Sequence, residues 1–438
     1  MENSTLNLPW GQEEISLKLP AQWRLLGRMA PSALAGVADP QRETRRSLQT
    51  PFDSPLLSKL AGPGQKIALV IDDGSRPTPV EQILPAVLEE IRASGASLDQ
   101  ITVVPALGVH RPMSEAEIAQ RIGARWMKEL HWESHDCDDP EKLAFLGTTQ
   151  RGTPVWVNKT VAESDLVVSI GCIEPHIIAS FGGGYKNLIP GIAGRQTIAH
   201  NHALNCQPGT FNMVGQPIEQ NPMRLDLEEG GQMFKPPVFI INAVLNSALE
   251  VVKVVSGNPI AAHRQGAQIS AAIYGANLPA MADIVITDSF PMDQDLRQGV
   301  KALANTVRAV RPGGVMITLI RAEEGVGVFG LANRKLPVGG GTLKLLAPLL
   351  LPLVPRLKLQ GMGEEDRFFL YFALQAMRRA ELLVYAPTIP AEIQERLPFV
   401  TFVDGVEQAL ERAHQRFPNR ADVLAFSHGG STYPILPA

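Results

Sequence analysis

Ile67-Ala68-Leu69-Val70-Ile71, followed by Asp72-Asp73-Gly74-Ser75-Arg76-Pro77-Thr78-Pro79-Val80-Glu81, is the stretch on which the fold turns. Five apolar residues, β-branched at 67, 70 and 71, read as a strand buried on both faces. Thr78-Pro79-Val80-Glu81 then reads as a capping box with proline at the first helical position. Val80, Ile83, Leu84, Val87, Leu88 and Ile91 continue at helical spacing. A buried strand handing over to a helix through a short turn is the repeating unit of a parallel sheet.

The same pattern recurs on either side. Ile101–Val104, Leu166–Ile170 and Val238–Ile241 are further strands of the first half. Ile284–Ile286, Val315–Ile320, Leu382–Tyr385 and Val423–Phe426 form a second series. The fold class expected is therefore α/β, with two domains that each carry a mainly parallel sheet flanked by helices. An Ala- and Gly-rich stretch at 260–280 precedes the second series. It puts the boundary near 275, with an N-terminal domain over 1–275 and a C-terminal one over 276–417. The tail from about 418 to 438 is a segment that can pack back on the first domain. Neither internal repeats nor low-complexity segments occur.

The chain has 438 residues, 45% hydrophobic and 19% charged, with a net charge of -4. So even a balance gives no electrostatic footprint for nucleic acid or an anionic membrane. The longest greasy stretch, Leu343–Leu359, is broken by Pro348, Pro352 and Pro355 and is too short to span a bilayer. Cys137, Cys172 and Cys206 are an odd number without a C-x-x-C pair, which fits buried thiols and a reducing cytoplasm. Oligomeric state leaves no mark in the sequence.

Four segments fall where strands end, the place where open parallel sheets bind ligands. The first holds Asp73, Ser75 and Arg76, in a turn with backbone N–H groups and a guanidinium fork for a phosphate or carboxylate. The second, A-L-G-V-H-R-P, ends at His110, which can move protons near neutral pH. A single loop histidine more often has no such task. The third is I-E-P-H-I-I-A-S-F-G-G-G-Y-K-N, then T-I-A-H-N-H. It gathers His176, Gly182 to Gly184, Lys186, His200 and His202. Glycines allow close backbone approach, a neutral lysine amine attacks carbonyl-type groups, and imidazole suits nickel. The fourth is F-P-M-D-Q-D-L-R-Q-G-V-K-A, where Asp293 or Asp295 starts a helix expected to end at Pro312-Gly313-Gly314. Arg297, Gln298 and Lys301 share one face of its first turns. Read alone, the fourth segment is equally a solvated charged face.

In order and spacing, from about residue 60 to 330, these segments together resemble the nickel-dependent lactate racemase family. That resemblance implies two α/β domains with the site in the cleft between them. It implies a nicotinic-acid-derived mononucleotide that holds nickel in a pincer of thioamide and thiocarboxylate. Lys186 matches the lysine that carries this group covalently, and His202 the histidine that completes nickel coordination. His110 and His176 match the acid/base pair. Arg76, Gln298 and Lys301 match residues that hold the substrate, while Asp73, Ser75, Gly183 and Gly184 belong to segments that touch the cofactor. The implied reaction inverts C2 of a 2-hydroxyacid by hydride transfer through a planar keto acid, with cofactor-maturation enzymes as partners. Three positions depart from the family. Arg297 stands where tyrosine is usual, Asp295 where asparagine is, and Tyr185 where arginine precedes the lysine. Arg297 tilts the expected substrate toward a dicarboxylic acid of malate type over lactate.

Other readings compete. An NAD(P)-dependent 2-hydroxyacid dehydrogenase would share the sheets, but no G-x-G-x-x-G links strand to helix. A zinc hydrolase would need an H-E-x-x-H or similar set, which is absent. A non-catalytic hydroxyacid-binding protein would have no use for Lys186 or paired histidines.

Overall fold

All eight apolar runs are strands: Ile67–Asp72, Ile101–Ala106, Leu166–Cys172, Val238–Leu245, Ala282–Asp288, Val310–Leu319, Ala380–Tyr385 and Ala421–Phe426. The computed structural model describes residues 5–437 apart from 328, 334, 337 and 358–363. Two units emerge. The first is Ala33–Leu204 with Pro217–Ile273, and the second is Met1–Ser32, Asn205–Gln216 and Tyr274–Ala438.

In the first unit the sheet runs Val251–Gly257, Val238–Leu245, Leu166–Cys172, Ile67–Asp72, Ile101–Ala106, His131–Trp132. All pairings are parallel except that of the Val251–Gly257 edge. Counted along the chain, this is the doubly wound order of dinucleotide-binding sheets with an antiparallel last strand. The direction of winding reverses between Ile67–Asp72 and Leu166–Cys172, so a crevice is expected beyond their carboxyl ends. Ile67, Leu69, Ile71, Val168 and Ile170 pack with Ile83, Val87, Leu88 and Ile91 of the Val80–Arg92 helix in one buried core.

In the second unit the sheet is wholly parallel: Thr401–Val403, Ala380–Tyr385, Val310–Leu319, Ala282–Asp288, Ala421–Phe426, Trp23–Met29. Its strand order reverses between Ala282–Asp288 and Ala421–Phe426. The N-terminal strand Trp23–Met29 closes the far edge by pairing with Ala421–Phe426. The tail from 418 clusters with the second unit, where its strand Ala421–Phe426 lies inside the sheet. For the same reason residues 1–32 do not belong to the N-terminal domain expected over 1–275. The last passage between units falls at 273–274.

Two local expectations are corrected. Thr78 does not cap its helix, whose N-cap is Pro79 without a side-chain bond. The hydroxyl instead donates to Asp72 Oδ2, since a buried carboxylate is the stronger acceptor. The helix after Asp295 spans only Leu296–Thr306, and Pro312-Gly313-Gly314 lies within the Val310–Leu319 strand. The Ser114 capping box forms as read, with Glu117 reaching back to Ser114 N at 2.7 Å. Among the described residues no helix is long and apolar enough to cross a membrane. Of the greasy stretch, Lys358 and Leu359 lie outside the described residues.

Candidate active site

The turn after Ile67–Asp72 is built around two buried carboxylates. Asp72 accepts from Thr78 and from Arg121, whose guanidinium also holds the carbonyls of Asp72 at 3.1 Å and Arg76 at 2.8 Å. Asp73 points to the other side. Its Oδ1 accepts from Ser75 N at 3.2 Å and Ser75 Oγ at 2.6 Å, and its Oδ2 lies 2.6 Å from His110 Nδ1. Burial pushes the Asp73 carboxyl up, but the His110 bond, Ser75 and the Arg76 charge outweigh it and hold it at about 2. Asp73 is thus ionised at neutral pH. Its two oxygens are engaged by Ser75 and His110.

Arg76 forms an ion pair through Nη1 with Glu174, just beyond Leu166–Cys172. Burial works against its charge, and Glu174 more than offsets this, so the guanidinium stays protonated. The pair spans the point where the sheet's winding reverses. Arg76 therefore lies at the crevice that topology alone predicts, and Asp73 of the same turn ties in the His110 loop.

Glu174 leads into a two-strand hairpin, Pro175–His176 against Ser180–Phe181. Backbone N–H groups of Ile178 and Ala179 donate to His176 Nδ1 at 3.2 and 3.1 Å. Asn221 secures the turn by donating to Ile178 O and Ser180 Oγ at 2.7 and 3.0 Å. The ring of His176 is thereby fixed, half-buried, at the mouth of the hairpin.

Next comes the glycine loop. Gly183 and Gly184 have φ of +73° and +64°, which few side chains tolerate. A Cβ on Gly183 would lie 2.6 Å from Ile173 Cγ1 and 2.7 Å from Asn242 Oδ1. Gly184 N donates to Asn242 Oδ1 at 2.8 Å, and the Gly183 carbonyl accepts from Arg224 Nη1 and Nη2 at 3.1 and 3.2 Å. Arg224 is fully buried and sits 2.9 Å from the Glu228 carboxylate, which Arg264 also grips at 2.7 and 2.8 Å. His263 lies between the two guanidinium groups, and burial first, then their charges, keeps it neutral. This scaffold presents Lys186 on a short Gly184–Asn187 turn, half-buried. Gly108 N donates to Gly191 O at 2.7 Å, joining the His110 loop to the lysine loop. Arg224, Asn242, His263 and Glu174 were not singled out from the sequence. Of these only Glu174, inside I-E-P-H, lies in a segment whose composition marks it out.

His202 lies on the Arg195–Ala203 helix and is buried, while His200 is exposed. Its Nδ1 is 2.7 Å from the Ile198 carbonyl, which can only accept, so Nδ1 carries the proton and Nε2 the lone pair. That is the form in which imidazole binds a metal, with its other nitrogen held by a carbonyl. Among the described residues no three His, Cys, Asp or Glu side chains group so as to hold a metal ion. A single imidazole fits a metal whose other ligands arrive with an organic group.

The remaining expected residues are in the second unit. Asp295 caps the Leu296–Thr306 helix, accepting from Gln298 N at 2.7 Å, and Lys301 Nζ lies 3.9 Å from Met292 Sδ. Arg297 is half-buried. Tyr185 turns away from the lysine into the core, where a Cβ on Gly231 would lie 2.3 Å from its ring. It is a packing residue.

A model of the lactate racemase N-terminal domain matches residues 10–211. The lactate racemase of Thermoanaerobacterium thermosaccharolyticum is 30% identical over 331 residues, covering 75% of this chain and 76% of that one. That of Lactiplantibacillus plantarum is 30% identical over 293 residues, covering 66% and 68%. The fold is that of the T. thermosaccharolyticum lactate racemase apoprotein, with a TM-score of 0.84 at 24% identity over 99% of this chain and 100% of that one. A Thermotoga maritima protein of known crystal structure follows at a TM-score of 0.66 and 16% identity, covering 91% and 99%. By the length and identity of these matches, the chain belongs to the lactate racemase family.

Proposed function

We propose that this chain is an isomerase that inverts C2 of a 2-hydroxyacid, with a nickel-pincer nucleotide carried on Lys186. The observation that supports the cofactor best is His202, a buried imidazole with its lone pair on Nε2, on the helix that follows the Lys186 loop. When bound, the group supplies nickel and an electron-poor carbon able to take hydride from C2 and return it. Lys186 provides the amine that holds it, and His202 the imidazole toward the metal. His110 and His176 act on the substrate hydroxyl proton. Arg76 uses Nη1 on Glu174, which leaves the rest of its fork for the substrate carboxylate, with Gln298 and Lys301 as further holders. Arg297 adds a second guanidinium, so a malate-type dicarboxylic acid is the preferred substrate in this reading, ahead of lactate. Cofactor-making enzymes are the partners it requires, and a cytoplasmic setting goes with them.

The test is intact mass of the chain co-produced with those enzymes, together with chiral analysis of the product. A covalent adduct on the parent chain, lost in Lys186→Ala, and conversion of one enantiomer into the other are expected. An unmodified parent chain without racemising activity would sink the proposal.

The strand order of the first sheet favours a second reading, a nicotinamide-dependent dehydrogenase. The turn that should cradle the pyrophosphate argues against it. It lacks the glycine fingerprint and instead places Asp72 and Asp73 there, and Asp73 is ionised.

A further inference from the structure

His110 and His176 are held by partners of opposite kind. At His110, Nδ1 faces the Asp73 carboxylate at 2.6 Å, a group that only accepts. At His176, Nδ1 faces the N–H groups of Ile178 and Ala179 at 3.2 and 3.1 Å, groups that only donate. A neutral imidazole has one N–H to place. We infer that the chain holds the two rings in opposite tautomers, His110 with its lone pair on Nε2 and His176 with its proton there, and that Asp73 is the positioning residue for His110.

This inference rests on the racemase reading of the site and adds a division of labour to it. His110 is the ring ready to accept. A substrate O–H bond breaks, an Nε2–H bond forms, and the resulting imidazolium stands against the ionised Asp73 carboxylate. His176 presents an N–H to the substrate oxygen and cannot accept at Nε2 unless its ring gives up both backbone bonds. The pair therefore begins each encounter polarised.

Asp73 has a feature that makes the inference testable. Both donors of Ser75 point at Oδ1. In Asp73→Asn they hold the amide oxygen in that place, so the amide NH₂ is directed at His110 Nδ1. A donor there forces the ring to accept at Nδ1 and moves its proton to Nε2.

The experiment is two-bond ¹H–¹⁵N correlation spectroscopy of the full chain made without cofactor and labelled at histidine. His110→Gln and His176→Gln assign the two rings. Expected are a protonated Nδ1 for His110 and a protonated Nε2 for His176. Asp73→Asn should switch His110 alone, with the unchanged His176 pattern as the sign that the fold is intact. The same tautomer in both rings, or an Asp73→Asn chain with His176 unchanged and His110 still protonated on Nδ1, overturns the inference. Neither result touches the racemase reading, which stands or falls on the adduct mass and chiral conversion. In cofactor-loaded Asp73→Asn, turnover should drop about 10²–10⁴-fold, the usual contribution of a general acid–base group.

Discussion

Replacing Gly183 with alanine should unfold the first unit at a much lower temperature, and the size of the effect can be worked from the loop. Gly183 has φ +73° and ψ -168°, a region that is nearly glycine-only and costs a side-chain-bearing residue about 1–3 kcal/mol. The new Cβ would also stand 2.6 Å from Ile173 Cγ1, 2.7 Å from Asn242 Oδ1 and 2.9 Å from the Cys172 carbonyl. Ile173 can yield, but the carbonyl belongs to a central strand. Overpacking of this kind costs about 1–3 kcal/mol more. The sum, about 2–6 kcal/mol, corresponds to roughly 5–20 °C in Tm for a unit of this size. Gly182 is the control one residue away. A Cβ there meets nothing closer than 3.4 Å, so Gly182→Ala should change stability by less than about 1 kcal/mol. Thermal unfolding of the two apo variants decides the matter. Melting temperatures within about two degrees of each other would show that the loop yields freely, and the account of how Lys186 is presented would be wrong.

Acid should weaken the site at Asp73. Its folded pKa of about 2 lies below its ordinary 3.8, so its contribution to stability is full above pH 4 and is lost as pH falls toward 2. The shift amounts to about 2 kcal/mol. The stability gap between parent and Asp73→Ala, followed by urea unfolding from pH 6 to pH 2.5, should close in that window, and a constant gap would count against the ionised pair. His202→Ala should keep the organic adduct on Lys186 while nickel measured by elemental analysis falls well below one per chain. Full nickel in that variant moves the role to another donor, with His200 the first to examine. Arg297→Tyr should lower malate turnover far more than lactate turnover in a chiral assay of the loaded enzyme. Equal losses would remove Arg297 from substrate choice.

What the sequence disclosed follows from how local each signal is. The eight buried strands announce themselves because a strand covered on both faces must be largely apolar, as in the run Ile67–Ile71. Trp23–Met29 escaped notice because it is an edge strand with Arg24 and Arg28 along it and only Trp23 buried. Its partner lies near the other end of the chain, where no periodicity can point. That the strand of the 418–438 tail belongs to the second sheet is hidden for the same reason. Thr78 carried a correct capping pattern, yet a carboxylate six residues upstream claimed its hydroxyl. In the site, His110, His176 and Lys186 stood out because glycine, proline and histidine crowd around them without a packing motive. Arg224 and His263 gave no sign. They come from two separate helices and meet at the carbonyls of Gly182 and Gly183.

The pairing of Trp23–Met29 with Ala421–Phe426 also governs how the chain can be made. Arg24 and Asp422, bonded at 2.9 Å across those strands, are 398 residues apart. At roughly 5–20 residues per second, an emerging N-terminus waits about 20–80 seconds for the strand it pairs with. The first unit has its whole sequence by residue 273 and can collapse during that interval, while the second holds an unpaired β-edge until the last strands leave the ribosome. A chain stopped at 417 would not lose an appendage. It would lose the strand that joins Ala282–Asp288 to Trp23–Met29, and leave two raw edges where the sheet had been continuous.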